Sequence, residues 1–296
     1  EAEEAEEAEE AEEAEGDAPD AFDLFEPTSG ILGFKNATAY GTMKKNVKRL
    51  RAGDAVFVKL GETKANAEFT HKCYDCMAAL EMPHVLTEHT TALYDEQSWR
   101  ALGNSEALPT DASWVNRMIR TMARHDGQKI PMQIAQRFDG IRLACAAKEH
   151  PEWLKHGNTG RSLFEALLFV KWKGITDSGP YNTMINSAGE VLLVDLNEAD
   201  AEKMSVYNKK GLTVSHKWKN KGGDGDHLAR ALKYAADNPE KAAEFAEVLV
   251  RTPPHPLLVS DLFSETARAE LRAGKAAPGG AFWKSCVEGP RDWRGR

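Results

Sequence analysis

The segment "GITDSGPYNTMINSAGEVLLVDLNEA", residues 174–199, sets Asp177, Asn182 and Asp195 around two short apolar runs. The runs flank Ser187-Ala188-Gly189, and a glycine able to take positive φ between β-branched and apolar flanks predicts a hairpin. A hairpin folds its ends together. Asn182, just before the first strand, and Asp195, at the end of the second, are therefore expected side by side, with Asp177 one loop away. Three converging oxygen-bearing groups suit a hard divalent cation such as Mg²⁺. A phosphoryl transfer needs one further carboxylate, to orient or deprotonate the attacking hydroxyl. Asp195 is the strongest ligand candidate of the three, because a carboxylate closing the apolar run "VLLV" is costly to bury unless it binds something.

These groups need elements to hold them. "GILGF" and "DAVFVKL", separated by the basic stretch "TMKKNVKRLRAGD", read as short strands of one antiparallel sheet. A helix is predicted from about Asn66 to Leu80, with Pro83 ending it before a strand in "MPHVLTEHTTALY". An amphipathic helix starting near Asp111, with Trp114, Met118, Ile119 and Met122 on one face, reads as an insertion, since "IPMQIAQRF" at Ile130 to Phe138 resumes strand alternation. From Asp139-Gly140 onward the pattern is helical. "SLFEALLFVKWKG" places Ser162 and Glu165 in capping-box register and Leu163, Leu167 and Val170 on a core stripe. Three further helices are expected in "DHLARALKYAAD", in "NPEKAAEFAEVLVR", which starts at Asn238-Pro239, and in "VSDLFSETARAELRAG". The fold class is α+β: an acidic disordered tail over 1–26, a β-rich lobe over 27–140 with a helical insertion near 95–129, and a helical lobe over 141–296.

A chain of 296 residues is long enough for a sizeable core, and no apolar run reaches the length of a bilayer span. The formal charge of −8 is misleading, because residues 1–15 hold ten Glu and leave the rest of the chain at +2. Such a charge block without an apolar stripe is a solvated tail. The chain starts at Glu1, not at Met, as a fragment or processed form does. Cys73, Cys76, Cys145 and Cys286 are few for the length, which suits a reducing, cytoplasmic setting. "CYDC" has C-x-x-C spacing, but Phe69, Cys73, Cys76, Met77 and Leu80 recur on one helix face, so the thiols are read as core-filling.

Taken in order, these residues resemble the protein-kinase-like superfamily. Asp177 and Asn182 are spaced as in the D-x-x-x-x-N of its catalytic loop, and Asp195 falls where the superfamily places the metal-binding aspartate of D-F-G. "VFVKL" sets Lys59 at the position of the V-A-I-K lysine, and Glu68, with Glu62 and Glu81 to either side, matches the glutamate of the following helix. The resemblance runs from Gly30 to Leu249. With so little chain between Lys59 and Glu68 and a proline closing the helix, the sequence is most similar to the actin-fragmin kinase catalytic domain, beside the phosphoinositide and aminoglycoside kinase branches. It departs from the pattern with Ile175-Thr176 for the His-Arg before the catalytic aspartate, with Asp195-Leu196-Asn197 for D-F-G, and in having no G-x-G-x-x-G.

The resemblance implies a two-lobed protein-kinase-like fold, ATP and Mg²⁺ as cofactors, and the activity of an atypical serine/threonine protein kinase. It implies that Lys59 holds the α- and β-phosphates, that Glu68 holds Lys59, that Asp177 orients the acceptor hydroxyl, and that Asn182 and Asp195 bind metal. "ATAYGTMKK" around Gly41 is the candidate turn over the phosphates, with Lys44 or Lys45 as assisting point charges. A pseudokinase scaffold without transfer activity and a small-molecule or phosphoinositide kinase are the alternatives. After Asp195 come Lys203, Lys209, Lys210, Lys217, Lys219 and Lys221, a basic segment suited to an acidic protein substrate or a phosphorylated head group. DNA is not an expected partner, since Tyr207 and Trp218 alone interleave stacking aromatics among those lysines.

Overall fold

The computed structural model describes residues 18–28, 37–103, 122–173, 175, 179–196, 227–251 and 265–275. The acidic run 1–15, the helix start at Asp111, all of "GILGF", Asp177 and the lysine-rich segment 203–221 lie outside them. The fold is α+β, as the sequence predicts. It divides into a β-rich unit, residues 1–71 with 85–137, and a mostly helical unit, residues 72–84 with 138–296.

In the first unit a short helix α1 (Ala21–Leu24) leads into β1 (Phe25–Pro27), followed by β2 (Ala37–Met43), β3 (Ala55–Leu60), the start of helix α2 (Lys64–Ala79), whose residues from 72 on belong to the second unit, β4 (Thr87–Leu93), helix α3 (Glu96–Gly103) and β5 (Lys129–Gln136). The strands form one sheet of order β1-β2-β3-β5-β4, antiparallel throughout. Strand alternation explains the central position of β3: Val56, Val58 and Leu60 are fully buried, while Phe57 and Lys59 turn to the other face. The core face is completed by Ala37, Ala39, Met132 and Ile134 and closed by Phe25, Tyr94 and Trp99. Phe22 and Phe25 bring their rings to 5.1 and 6.3 Å from Trp99. Ala21 and Phe25 are fully buried, so residues 21–27, a helical turn and the edge strand β1, belong to the folded unit, whereas the sequence alone assigns the chain to the acidic tail as far as residue 26. Their apolar side chains follow the charged run too closely for composition to separate the two.

The second unit contains β6 (Ile141–Arg142), α4 (Leu143–Glu149), α5 (Thr159–Lys173), β7 (Thr183–Ile185), β8 (Val191–Leu193), α6 (His227–Asp237), α7 (Pro239–Arg251) and α8 (Glu265–Arg272), with a small sheet of order β6-β7-β8. Helix α5 is its axis. Leu163, Phe164, Ala166, Leu167, Leu168, Phe169 and Val170 are all fully buried, as in a helix covered on every side. Each such leucine or phenylalanine contributes about 1.5–3 kcal/mol by leaving water. Helix α5 packs on α6 and on β8. It starts earlier than the capping-box spacing suggested: Ser162 lies inside it, with its N–H on Asn158 O at 2.9 Å. The Ser162 hydroxyl instead accepts the Val191 N–H at 2.8 Å, and Glu165 pairs with Arg161 at 2.6 Å. The two polar side chains are anchors, one to β8 and one along the helix. Pro239 opens α7 as expected, with Ala242 N–H donating to Asn238 O at 3.0 Å.

Candidate functional site

Directly opposed residues of antiparallel strands share a face. Thr38 and Gln133 oppose Lys59, and His89 opposes Gln133, so four polar side chains form one row across the sheet on the side away from the core. Thr38 is buried, and neither its Oγ1 nor the His89 Nδ1 has a hydrogen-bond partner among the described residues. Burial, with the neighbouring charges of Lys48 and His71, holds the His89 imidazole below its ordinary value, so the ring is neutral.

Immediately after β3, Gly61 takes φ of 82° and donates its N–H to Pro131 O at 3.0 Å. That left-handed turn returns Glu62 onto Lys59, and carboxylate and ammonium form an ion pair. Glu62 is buried, and its Oε1 also receives Asn66 Nδ2 at 3.0 Å and the Thr63 N–H at 3.3 Å. Burial alone would push this carboxyl up, but the Lys59 ammonium and these hydrogen bonds outweigh it and hold the group below the usual carboxylate value. Thr63 caps α2, its Oγ1 accepting the Asn66 N–H at 3.2 Å. Glu68, the expected partner of Lys59, lies farther along α2, 3.9 Å from Lys64. The difference comes from the glycine turn, which delivers a carboxylate before the helix begins.

Gly41 is also placed differently from expectation. It lies within β2, opposite Pro27 and Val56, on the face of Ala37 and Ala39 and not that of Lys59. A Cβ there would stand 2.5 Å from Glu26 O and from the Phe25 ring, so the missing side chain allows β1 to approach and makes no turn over phosphates. Lys44 donates its ammonium to Phe22 O at 2.8 Å, back toward α1.

In the helical unit the predicted hairpin forms, pairing Thr183 with Leu193, Met184 with Leu192 and Ile185 with Val191. Gly189 takes φ of 74°, and Asn186 Oδ1 holds the turn by accepting the N–H groups of Ala188 at 3.0 Å and Glu190 at 2.9 Å. The ladder continues, Val194 N–H donating to Asn182 O at 3.0 Å, which sets Asn182 across from the residue next to Asp195. The incoming loop is pinned by Asn182 N–H and Thr183 Oγ1, both donating to Gly179 O at 2.9 Å, and by Ala144 N–H on Pro180 O at 2.9 Å. Val191, Leu192 and Leu193 are buried, but Asp195 is exposed, so a burial cost does not mark it out. Its backbone does: φ is 55°, a left-handed conformation uncommon outside glycine and enriched at functional positions. Among the described residues no group of three or more His, Cys, Asp or Glu side chains converges as a metal site. An ion between Asn182 and Asp195 would complete its shell with phosphate and water oxygens, which is how Mg²⁺ is usually held.

The strand before Asp195 is tied to α2. Tyr74 is buried and donates its hydroxyl to Leu193 O at 2.9 Å. Burial, then the charges of Cys73 and Asp195, push its phenol above the ordinary value, so it remains a donor. The buried face of α2 is Ala67, Thr70, Cys73, Tyr74 and Met77. Cys73 fills core as expected, and burial pushes the Cys76 thiol up, away from a reactive thiolate. The sequence does not single out Tyr74, and it offers Glu62 only as a neighbour of Glu68. The first had a signal in its spacing of three from Met77, and the second in the glycine following the strand lysine.

No family model and no curated protein matches the sequence. Among solved structures the chain is similar to "WaaP in complex with acyl carrier protein", with 10% identity, covering 76% of this chain and 88% of that chain, at a TM-score of 0.35. At that identity and overlap the likeness assigns neither a family nor a function. Among the described residues no helix is long and apolar enough to cross a membrane.

Proposed function

We propose that this chain is an ATP- and Mg²⁺-dependent phosphotransferase acting on a protein hydroxyl. The observation that carries the reading is Lys59, an ammonium on the central strand, turned away from the core, fixed by a buried carboxylate and flanked by the Thr38 hydroxyl, which no described residue satisfies. A fixed cation beside an orphaned hydroxyl suits phosphate oxygens, which accept from both. In this reading Lys59 binds the α- and β-phosphates, while the amide oxygen of Asn182 and the carboxylate of Asp195 hold the metal. Mg²⁺, when bound there, supplies the charge that offsets the phosphates. Asp177 orients the acceptor hydroxyl and accepts its proton as the oxygen attacks.

Thermal shift with ATP, with and without Mg²⁺, followed by phosphate transfer to acidic proteins and to phosphoinositide vesicles, tests the reading. Asp195→Ala should lose both the Mg²⁺-dependent stabilisation and transfer. Asp177→Ala should keep the stabilisation and lose transfer. A wild type whose melting temperature does not respond to ATP at any Mg²⁺ concentration would end the proposal. The replacements of His-Arg by Ile175-Thr176 and of D-F-G by Asp195-Leu196-Asn197 favour one second reading, a pseudokinase scaffold. That reading predicts no transfer to any acceptor, and a wild type without a nucleotide-induced shift at any Mg²⁺ concentration favours it.

A further inference from the structure

Resting on that phosphotransferase reading, we infer that Glu62, and not Glu68, is the residue that positions Lys59 for the nucleotide. Glu62 is held on every side that matters. Its Oε1 is occupied by Asn66 Nδ2 and the Thr63 N–H, which leaves Oε2 for the Lys59 ammonium. The side chains of Lys59 and Glu62 are 17% and 10% exposed, so the pair lies largely out of water, where a charge-assisted hydrogen bond is strongest and removal of one partner is felt most. Glu68 and Lys64 keep 38% and 64% of their side-chain surface in solvent, the setting in which an ion pair contributes little.

The connection also matters. Glu62 follows Lys59 through a single glycine turn, whose N–H is bonded to β5 at Pro131 O, so lysine and carboxylate move as one piece with the sheet. A glutamate one or two turns into α2 would place Lys59 under control of that helix's position. The Lys59 anchor of this chain is instead assembled by β3, the Gly61 turn and the first turn of α2.

The test measures Mg²⁺-dependent ATP turnover and the ATP dissociation constant for wild type, Glu62→Gln, Glu62→Asp, Glu68→Gln, Lys59→Ala and the Lys59→Ala/Glu62→Gln double variant, with ligand-free melting temperatures beside them. Glu62→Gln should lower kcat/KM by about tenfold or more, with kcat carrying the larger part, because geometry at the phosphates is lost more than ground-state affinity. Glu62→Asp, which keeps the charge, should recover part of that loss, and Glu68→Gln should stay within about twofold of wild type. In the Lys59→Ala background Glu62→Gln should cost no further activity, since it acts only through the lysine. Should Glu62→Gln fail to fold, Glu62→Asp carries the decision, and activity equal to wild type overturns the assignment. A tenfold loss in Glu68→Gln with Glu62→Gln unaffected overturns it while leaving the phosphotransferase reading intact, as does an equal loss from Glu62→Gln with and without Lys59. A wild type that neither binds nor turns over ATP overturns both.

Discussion

Gly61 and Glu62 carry stability and chemistry in the same few atoms. Gly61 needs its φ of 82°, and a Cβ there would come within 2.9 Å of Met122 Cε. Methionine is flexible enough to yield, so the backbone conformation is the larger cost, and Gly61→Ala should destabilise the protein by about 1 kcal/mol or more in urea melts. Glu62 makes a pH prediction whose sign follows from its lowered carboxyl value. A carboxylate favoured by the fold contributes its full stability above its unfolded value of about 4.3 and loses it as pH falls through the lower folded value. Glu62→Gln should therefore be less stable than wild type near neutrality, and the gap should close in acid, below about pH 4. Urea melts at neutral and acid pH check this, and a gap that widens toward acid contradicts it.

Elements in the helical unit converge on the strand that delivers Asp195. The end of β8 is held from one side by the Tyr74 hydroxyl on Leu193 O, and its start by Ser162 Oγ on Val191 N–H. Tyr74→Phe leaves a buried carbonyl without its donor and should cost about 0.5–1.5 kcal/mol of stability. It should also weaken the Mg²⁺-dependent shift with ATP, though less than Asp195→Ala, because the strand end that aims Asp195 loses a tether while its ladder to β7 remains. The hairpin turn packs against the start of α5: a Cβ at Gly189 would stand 2.5 Å from Thr159 Oγ1 and 2.8 Å from His156 Cβ. Gly189→Ala thus combines a φ of 74° with clashes into ordered neighbours, and should cost more than Gly61→Ala, about 2 kcal/mol or above. Thermal melts of the two variants side by side give the order.

Over the whole molecule, charge is distributed in blocks. Ten glutamates stand in residues 1–15, and six lysines stand between positions 203 and 221. Exposed charges act on partners mainly by steering, over the Debye length of about 8 Å at 0.15 M salt. Neutralising Lys209, Lys210, Lys217, Lys219 and Lys221 together should reduce use of acidic acceptors, and the wild-type preference should fade as salt rises past about 0.15 M. Acidic proteins and phosphoinositide vesicles assayed in parallel identify which acceptor depends on them. A variant that uses both as the wild type does would show that the segment takes no part in acceptor choice.

The features legible in the sequence are the local ones. Alternation in "VFVKL" and "IPMQIAQ" sets β3 and β5 and turns Lys59 away from the core, because strand side chains alternate whatever lies beyond them. The glycine-centred hairpin aligns Asn182 with the end of β8 for the same reason: a tight turn determines its own register. Tertiary packing decided the rest. Glu62 and Glu68 both lie close to Lys59 in the chain, and the choice between them was made by the Gly61 turn against Pro131 on β5, a contact of high sequence separation. Gly41 reads as a flexible turn until Phe25 and Glu26 are seen crossing it, and Ser162 as a helix cap until Val191 is seen to need an acceptor. Tyr74 looks like one more apolar residue on α2 until its hydroxyl meets Leu193, 119 positions away. Periodicity specifies which face a side chain occupies, but only the assembled chain brings to that face the atom it must satisfy.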